Sequence, residues 1–212
     1  AFPLTVIVVI GQIFHWGPQI ALSINVSALD VAQYTATHRT ALLISFILNA
    51  VNMIVAPRFA DRFSNNDYAG IEKMAKQAIM LMLALVLPIY LFVILAPNIV
   101  MSMFGEAYQY QGNSLRVLAT AQLFNVFSGS VALLLTMTGH EKDLRNSMLF
   151  TGTLFILGLT TLVPKLGVNG AIVTSALISI IQNIINVVYV RKRLGFNTLI
   201  FWKLTLNSQK TQ

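Results

Sequence analysis

Six stretches of the chain hold no Asp, Glu, Lys or Arg: residues 1–29, 40–57, 77–105, 117–140, 146–164 and 166–190. Every formal charge lies in or beside the short segments between them. Each stretch has about 18 to 29 residues, the length a helix needs to cross a hydrocarbon core of about 30 Å at about 1.5 Å per residue. The pattern predicts an all-α integral membrane protein with six transmembrane helices, at about residues 2–25, 34–56, 77–96, 114–138, 145–163 and 168–190. Residues 1–194 make one six-helix transmembrane bundle in this reading, and 195–212 a cytoplasmic interfacial tail. Pro88 and Pro97 predict a kink and a stop in the third helix. Residues 67–77, with Asp67 at an N-cap, suit a helix at the headgroups leading into the third span, and the aromatic and amide-rich 101–113 suits an interfacial turn.

At 3.6 residues per turn the polar side chains of four spans sort onto faces. Gln12, Trp16, Gln19 and Ser23 share a face of the first helix, with His15 at its edge and Pro18 beside them. Tyr34, His38, Ser45, Asn49 and Asn52 share a stripe on the second. The fourth carries Gln122, Asn125, Gly129 and Thr136, and the sixth Ser175, Ser179, Gln182 and Asn186. The third and fifth show little comparable polarity and can lie against lipid. Polar side chains in hydrocarbon need partners, so the four stripes turn toward each other or toward water. Interhelical hydrogen bonding, at about 0.6 to 2 kcal/mol a contact, is one account. A water-filled path lined by neutral hydrogen-bonding groups, suited to a sugar-bearing substrate, is the other. The first two stripes favour the path, because they combine imidazole, indole and phenol with amides.

Composition agrees with the span pattern. With 56% hydrophobic and 10% charged residues and a mean hydropathy of +0.73, the chain lacks the polar surface of a soluble domain. There is no cysteine, hence no disulfide or thiolate metal site. Residues 1–10 lack a starting Met and a basic n-region, so they read as the entry to a span of a longer chain and not as a signal peptide. Eleven of the 14 basic residues follow the second, fourth and sixth spans, which by the positive-inside rule makes that side and both termini cytoplasmic. The net charge of +7 is then a topology signal, and no basic patch with interleaved aromatics points to nucleic acid.

The ionisable residues near the spans leave two readings each. Arg39 and Arg116 either snorkel to the outer headgroups or form a cationic rim for phosphate. His15 and His38 are either satisfied interior histidines or proton carriers. Asp61, beside Arg58 and Arg62, reads as part of a weak surface ion pair. No carboxylate falls inside an expected span, as a cation-driven antiporter usually requires. No nucleophile set, metal cluster or phosphate loop stands out, so neither an enzyme nor a metal or other cofactor is expected.

Several short pieces occur in a fixed order along the chain: VAQYTATHR around Tyr34, APRFA at 56–60 before Asn66 and Asp67, FGEAY at 104–108 before 115–119, TMTG at 136–139 and GVNGA at 167–171. Over roughly residues 1–194 this set resembles the C-terminal half of the polysaccharide-exporter and O-antigen flippase branch of the multidrug/oligosaccharidyl-lipid/polysaccharide transporter superfamily. The resemblance implies one bundle of a two-bundle, twelve-helix transporter in the cytoplasmic (inner) membrane, partnered by a further six-helix bundle. Such a protein flips polyprenyl-pyrophosphate-linked oligosaccharide by alternating access. It implies that the first two helices line the cavity, with His38 or Arg39 placed to meet the pyrophosphate. The candidate cavity residues are Gln12, His15, Trp16, Gln19, Tyr34, His38, Arg39, Asn49, Asn52, Arg116, Gln122 and Asn125. Gln12, Trp16, Gln19, Asn49 and Asn52 would meet sugar hydroxyls, and His38, Arg39 and Arg116 the anionic carrier. A multidrug or cation antiporter of the same superfamily, and a self-standing six-helix scaffold or channel, are the alternatives.

Overall fold

Side-chain caps, prolines and glycines set the element boundaries. In a computed structural model, which describes residues 2–198, the helices are α1 (Phe2–Asn25), α2 (Ala28–Ser64), α3 (Tyr68–Leu95), α4 (Pro97–Ser102), α5 (Gly112–Ser128), α6 (Val131–Met137), α7 (Glu141–Leu166) and α8 (Val168–Leu194). A 3-10 segment, Glu106–Gln111, joins α4 to α5, and there is no strand among the described residues. Five helices are long and apolar enough to cross a membrane, and α5 with α6 makes a sixth if that bent pair is one span.

α2 begins six positions before the expected second span because Ser27 and Asp30 form a capping box. The Asp30 backbone N–H donates to Ser27 Oγ at 3.2 Å, and the Ser27 N–H donates to Asp30 Oδ2 at 3.2 Å, satisfying donors the first turn would leave open. Asp30 is therefore a helix residue and not a loop residue. With 37 residues, α2 is about 55 Å long and projects beyond a hydrocarbon core. Asp67 caps α3, accepting from the Gly70 N–H at 2.8 Å, and α3 runs on through Pro88. Ala96 separates α3 from α4, where Pro97 sits at the first helical position, so this proline starts a helix as well as ending one.

The expected fourth span is broken. Gly129, with φ 76° and ψ −158°, occupies a backbone region open essentially to glycine alone, and α5 and α6 diverge there by 42°. α7 packs against both α1 and α8 while Phe150 and Leu157 on its outer face stay exposed, so the fifth span is packed on one side and faces outward on the other. The core gathers Leu22, Tyr34, Phe59, Met82, Leu118 and Phe155. Leu43, Phe46, Phe92, Leu157 and Val188 are exposed, as a hydrocarbon-facing surface requires. The interfacial tail expected at 195–212 falls largely outside the described residues, which end with buried Phe196 and Thr198.

Candidate functional site: a polar cavity inside the bundle

Within the bundle, α1, α2, α5, α6, α7 and α8 line a partly open cavity of about 490 Å³. Its polar lining comes from His15, His38, Gln122, Asn125, Ser175, Ser179, Gln182, Asn183 and Asn186, beside apolar Phe14, Met148 and Phe155. Every titratable group among these is an imidazole.

Much of the lining is bonded helix to helix. Ser45 donates to Gln122 Oε1 at 2.6 Å and accepts from Asn125 Nδ2 at 3.4 Å, joining α2 to α5. Ser128 donates to Asn183 Oδ1 at 2.8 Å, joining α5 to α8. On α7, Thr151 donates to Gln182, and Ser147 donates to Asn186 Oδ1 at 2.9 Å while accepting from Gln182 Nε2 at 2.7 Å. Ser130, at the α5–α6 break, donates to Asn52. Interhelical bonding thus accounts for much of the second, fourth and sixth stripes, and it recruits α7, whose Ser147 and Thr151 lie outside the four stripes. Two amide donors stay uncommitted: neither Gln122 Nε2 nor Asn186 Nδ2 has a hydrogen bond among the described residues.

Four of the twelve sequence candidates, His15, His38, Gln122 and Asn125, line the cavity. Tyr34 lies behind it, buried, with its hydroxyl 3.2 Å from Ser175 Oγ and its ring stacked on His38 at 5.7 Å. Asn52 is held by Ser130. Gln12 and Trp16 are on the exposed face of α1, with Gln19 half-buried there, and Arg39 and Asn49 are exposed on α2. Arg39 makes no hydrogen bond or ion pair among the described residues. Arg116 stands apart: its Nε donates to the Ile94 carbonyl at 3.1 Å and its Nη1 to Asn113 Oδ1 at 3.3 Å. It satisfies one of the open carbonyls at the end of α3 and is not a cavity residue. Thr136, beyond the Gly129 break, turns back to the Ala132 carbonyl at 3.0 Å and leaves the stripe. Ser175, Ser179, Gln182, Asn183 and Asn186 complete the lining from α8; all but Asn183 lie on the sixth-span stripe.

At the end carrying most of the basic residues, charges tie the helices together. Arg193 donates to Asp143 through Nε at 2.6 Å and Nη2 at 3.1 Å. This hydrogen-bonded pair holds the Asp143 carboxyl below its ordinary range and raises Arg193. Arg62 pairs with Asp67 and not with Asp61, contrary to the expected surface pair. The fold and its polar interior define a multi-pass helical membrane protein. No protein-family profile, curated protein or solved structure matches the chain.

Proposed function

We propose that the chain forms one bundle of a transporter that flips polyprenyl-pyrophosphate-linked oligosaccharide across the cytoplasmic membrane by alternating access, for surface polysaccharide assembly. The observation that carries this is the chemistry of the bundle's polar surfaces. Within a largely apolar lining, the polar groups of the cavity are amides, hydroxyls and imidazoles with no carboxylate, and Gln122 and Asn186 keep amide donors for an incoming hydroxyl. Outside the cavity, α1 exposes an indole and an amide at Trp16 and Gln12, and α2 exposes an amide and one unpaired guanidinium at Asn49 and Arg39. Sugars bind through hydroxyl hydrogen bonds and contact with aromatic faces, and a guanidinium fork fits phosphate oxygens. The ordered motifs from VAQYTATHR to GVNGA support the same assignment.

Polysaccharide export by cells that depend on the intact protein tests it. Arg39→Ala and Trp16→Ala are each expected to lower export at least about ten-fold at unchanged membrane level, the loss of one charge-assisted or stacking contact. Arg39→Lys should rescue only in part, since a point charge cannot reproduce the fork. Full export by both alanine variants sinks the proposal and leaves Arg39 a snorkelling residue.

A further inference from the structure

Past the expected end of the second span, α2 carries a charged recess of about 450 Å³ lined by Arg58, Asp61, Arg62, Asn65 and Asp67. Two of its charges are committed to the α2–α3 turn, since Arg62 pairs with Asp67 and Asp67 caps α3 through the Gly70 N–H. Arg58 has no hydrogen bond or ion pair among the described residues, and the Asp61 carboxylate has only a long contact to Asn65 Nδ2 at 3.5 Å. The recess thus offers one free cation and one nearly free anion, three positions apart on one helix.

An apolar path leads to them. Leu43, Ile47, Ala50 and Ile54 recur at helical spacing, and Arg58 and Asp61 continue the same line. Leu43 and Ile54 are 62% and 60% exposed. The line passes from apolar to charged near residue 57, where the expected span leaves the hydrocarbon.

We propose that this strip and recess seat one phospholipid with a zwitterionic phosphoethanolamine headgroup. Its phosphate lies on Arg58, its primary ammonium on Asp61, and an acyl chain along Leu43, Ile47, Ala50 and Ile54. Charge complementarity selects the headgroup. An anionic lipid would match Arg58 but set a like charge beside Asp61, and a choline group has no N–H to donate to that carboxylate, whereas a primary ammonium has three.

The test uses the intact chain, delipidated in detergent and given phosphatidylethanolamine, phosphatidylcholine or phosphatidylglycerol with matched acyl chains, and counts retained lipid by native mass spectrometry. Phosphatidylethanolamine is expected to be retained preferentially. Asp61→Asn should lower its retention about ten-fold, the loss of one charge-assisted hydrogen bond, and leave phosphatidylcholine unchanged. Arg58→Gln should lower both by about the same factor. Ile54→Gln, which keeps the charges and interrupts the strip, should weaken all three lipids alike. Equal retention of the three lipids by the parent chain, preference for phosphatidylglycerol, or phosphatidylethanolamine retention indifferent to Arg58→Gln and Asp61→Asn overturns the proposal. Thermal melting matched to the parent establishes that each variant is folded.

Discussion

Gln182 bridges three side chains of the interior: it donates to Ser147 Oγ at 2.7 Å and to Asn186 Oδ1 at 3.2 Å, and it accepts from Thr151. Replacing it with Leu keeps the volume but takes one partner each from Ser147, Thr151 and Asn186, leaving Ser147 bonded to Asn186 and Thr151 to the Ser147 carbonyl. Gln182→Leu should therefore lower stability by about 1 to 2 kcal/mol, measured as a loss of unfolding free energy in detergent. A double-mutant cycle with Thr151→Val should return a coupling of about 0.6 to 1.7 kcal/mol; zero coupling would mean that Thr151 and Gln182 do not interact. The amides of this network are conspicuous in the sequence because Asn and Gln inside an apolar run have no local way to satisfy themselves. The α7 hydroxyls are not, since a helical Thr can bond the carbonyl four residues back, as Thr151 does to Ser147 at 2.9 Å. Its cross-helix role emerges only when α8 is in place. Arg116 is a second such case, because the carbonyl it meets is 22 positions away in the chain.

Helix existence follows from the charge-free runs, but helix continuity depends on single residues. The break between α5 and α6 rests on Gly129, where a Cβ would add strain at φ 76° and meet Ile79 Cγ1 at 2.6 Å. Gly129→Ala should destabilise by more than about 1 kcal/mol. Adding Ile79→Ala should recover the steric part and not the backbone part; full recovery would show that strain at φ plays no role. In the sequence Gly129 reads as one more small residue on a polar stripe, since nothing local reveals that a neighbouring helix denies it a side chain. At the other end of α7, the Asp143–Arg193 pair joins its first turn to the last turn of α8. The Asp143 carboxyl is held below its ordinary value of 3.8, so the pair contributes stability above that value and loses it as pH falls through the lowered one. Protection of the amides at residues 141–145 and 190–194, taken relative to the intrinsic exchange rate at each pH, should fall on acidification below about pH 4. In Asp143→Asn the same protection should already be lowered at pH 7 and change little with acid.

The bundle as a whole has two unlike ends. The helix ends around the α2–α3 and α6–α7 turns and the end of α8 carry Arg58, Arg62, Lys73, Lys142, Arg145 and Arg191 to Arg193, while the opposite end carries Asp30, Glu106 and Lys165, with Arg39 and Arg116 further along α2 and α5. That asymmetry is legible in the sequence and is the basis on which the positive-inside rule expects the basic end to be cytoplasmic. Whether α5 and α6 together cross the membrane or turn back within it is not legible, because a bend of 42° suits either path and a hydropathy pattern looks the same for both. The absence of cysteine makes the difference measurable, since one introduced thiol is the only thiol. Lys73 follows the second span, Tyr110, 83% exposed, lies between the third span and α5, and Lys142 follows α6. If α3 crosses, Lys73→Cys and Tyr110→Cys must react with a membrane-impermeant maleimide from opposite sides of sealed vesicles. If the α5–α6 pair also crosses, Lys142→Cys must react from the same side as Lys73→Cys. This is the expected outcome, because Lys142 and Arg145 then join the other basic side chains at one headgroup layer. Labelling of Lys142→Cys from the Tyr110 side would instead make α5 and α6 a re-entrant hairpin and leave five crossings. The two ends of the described chain would then lie on opposite sides of the membrane.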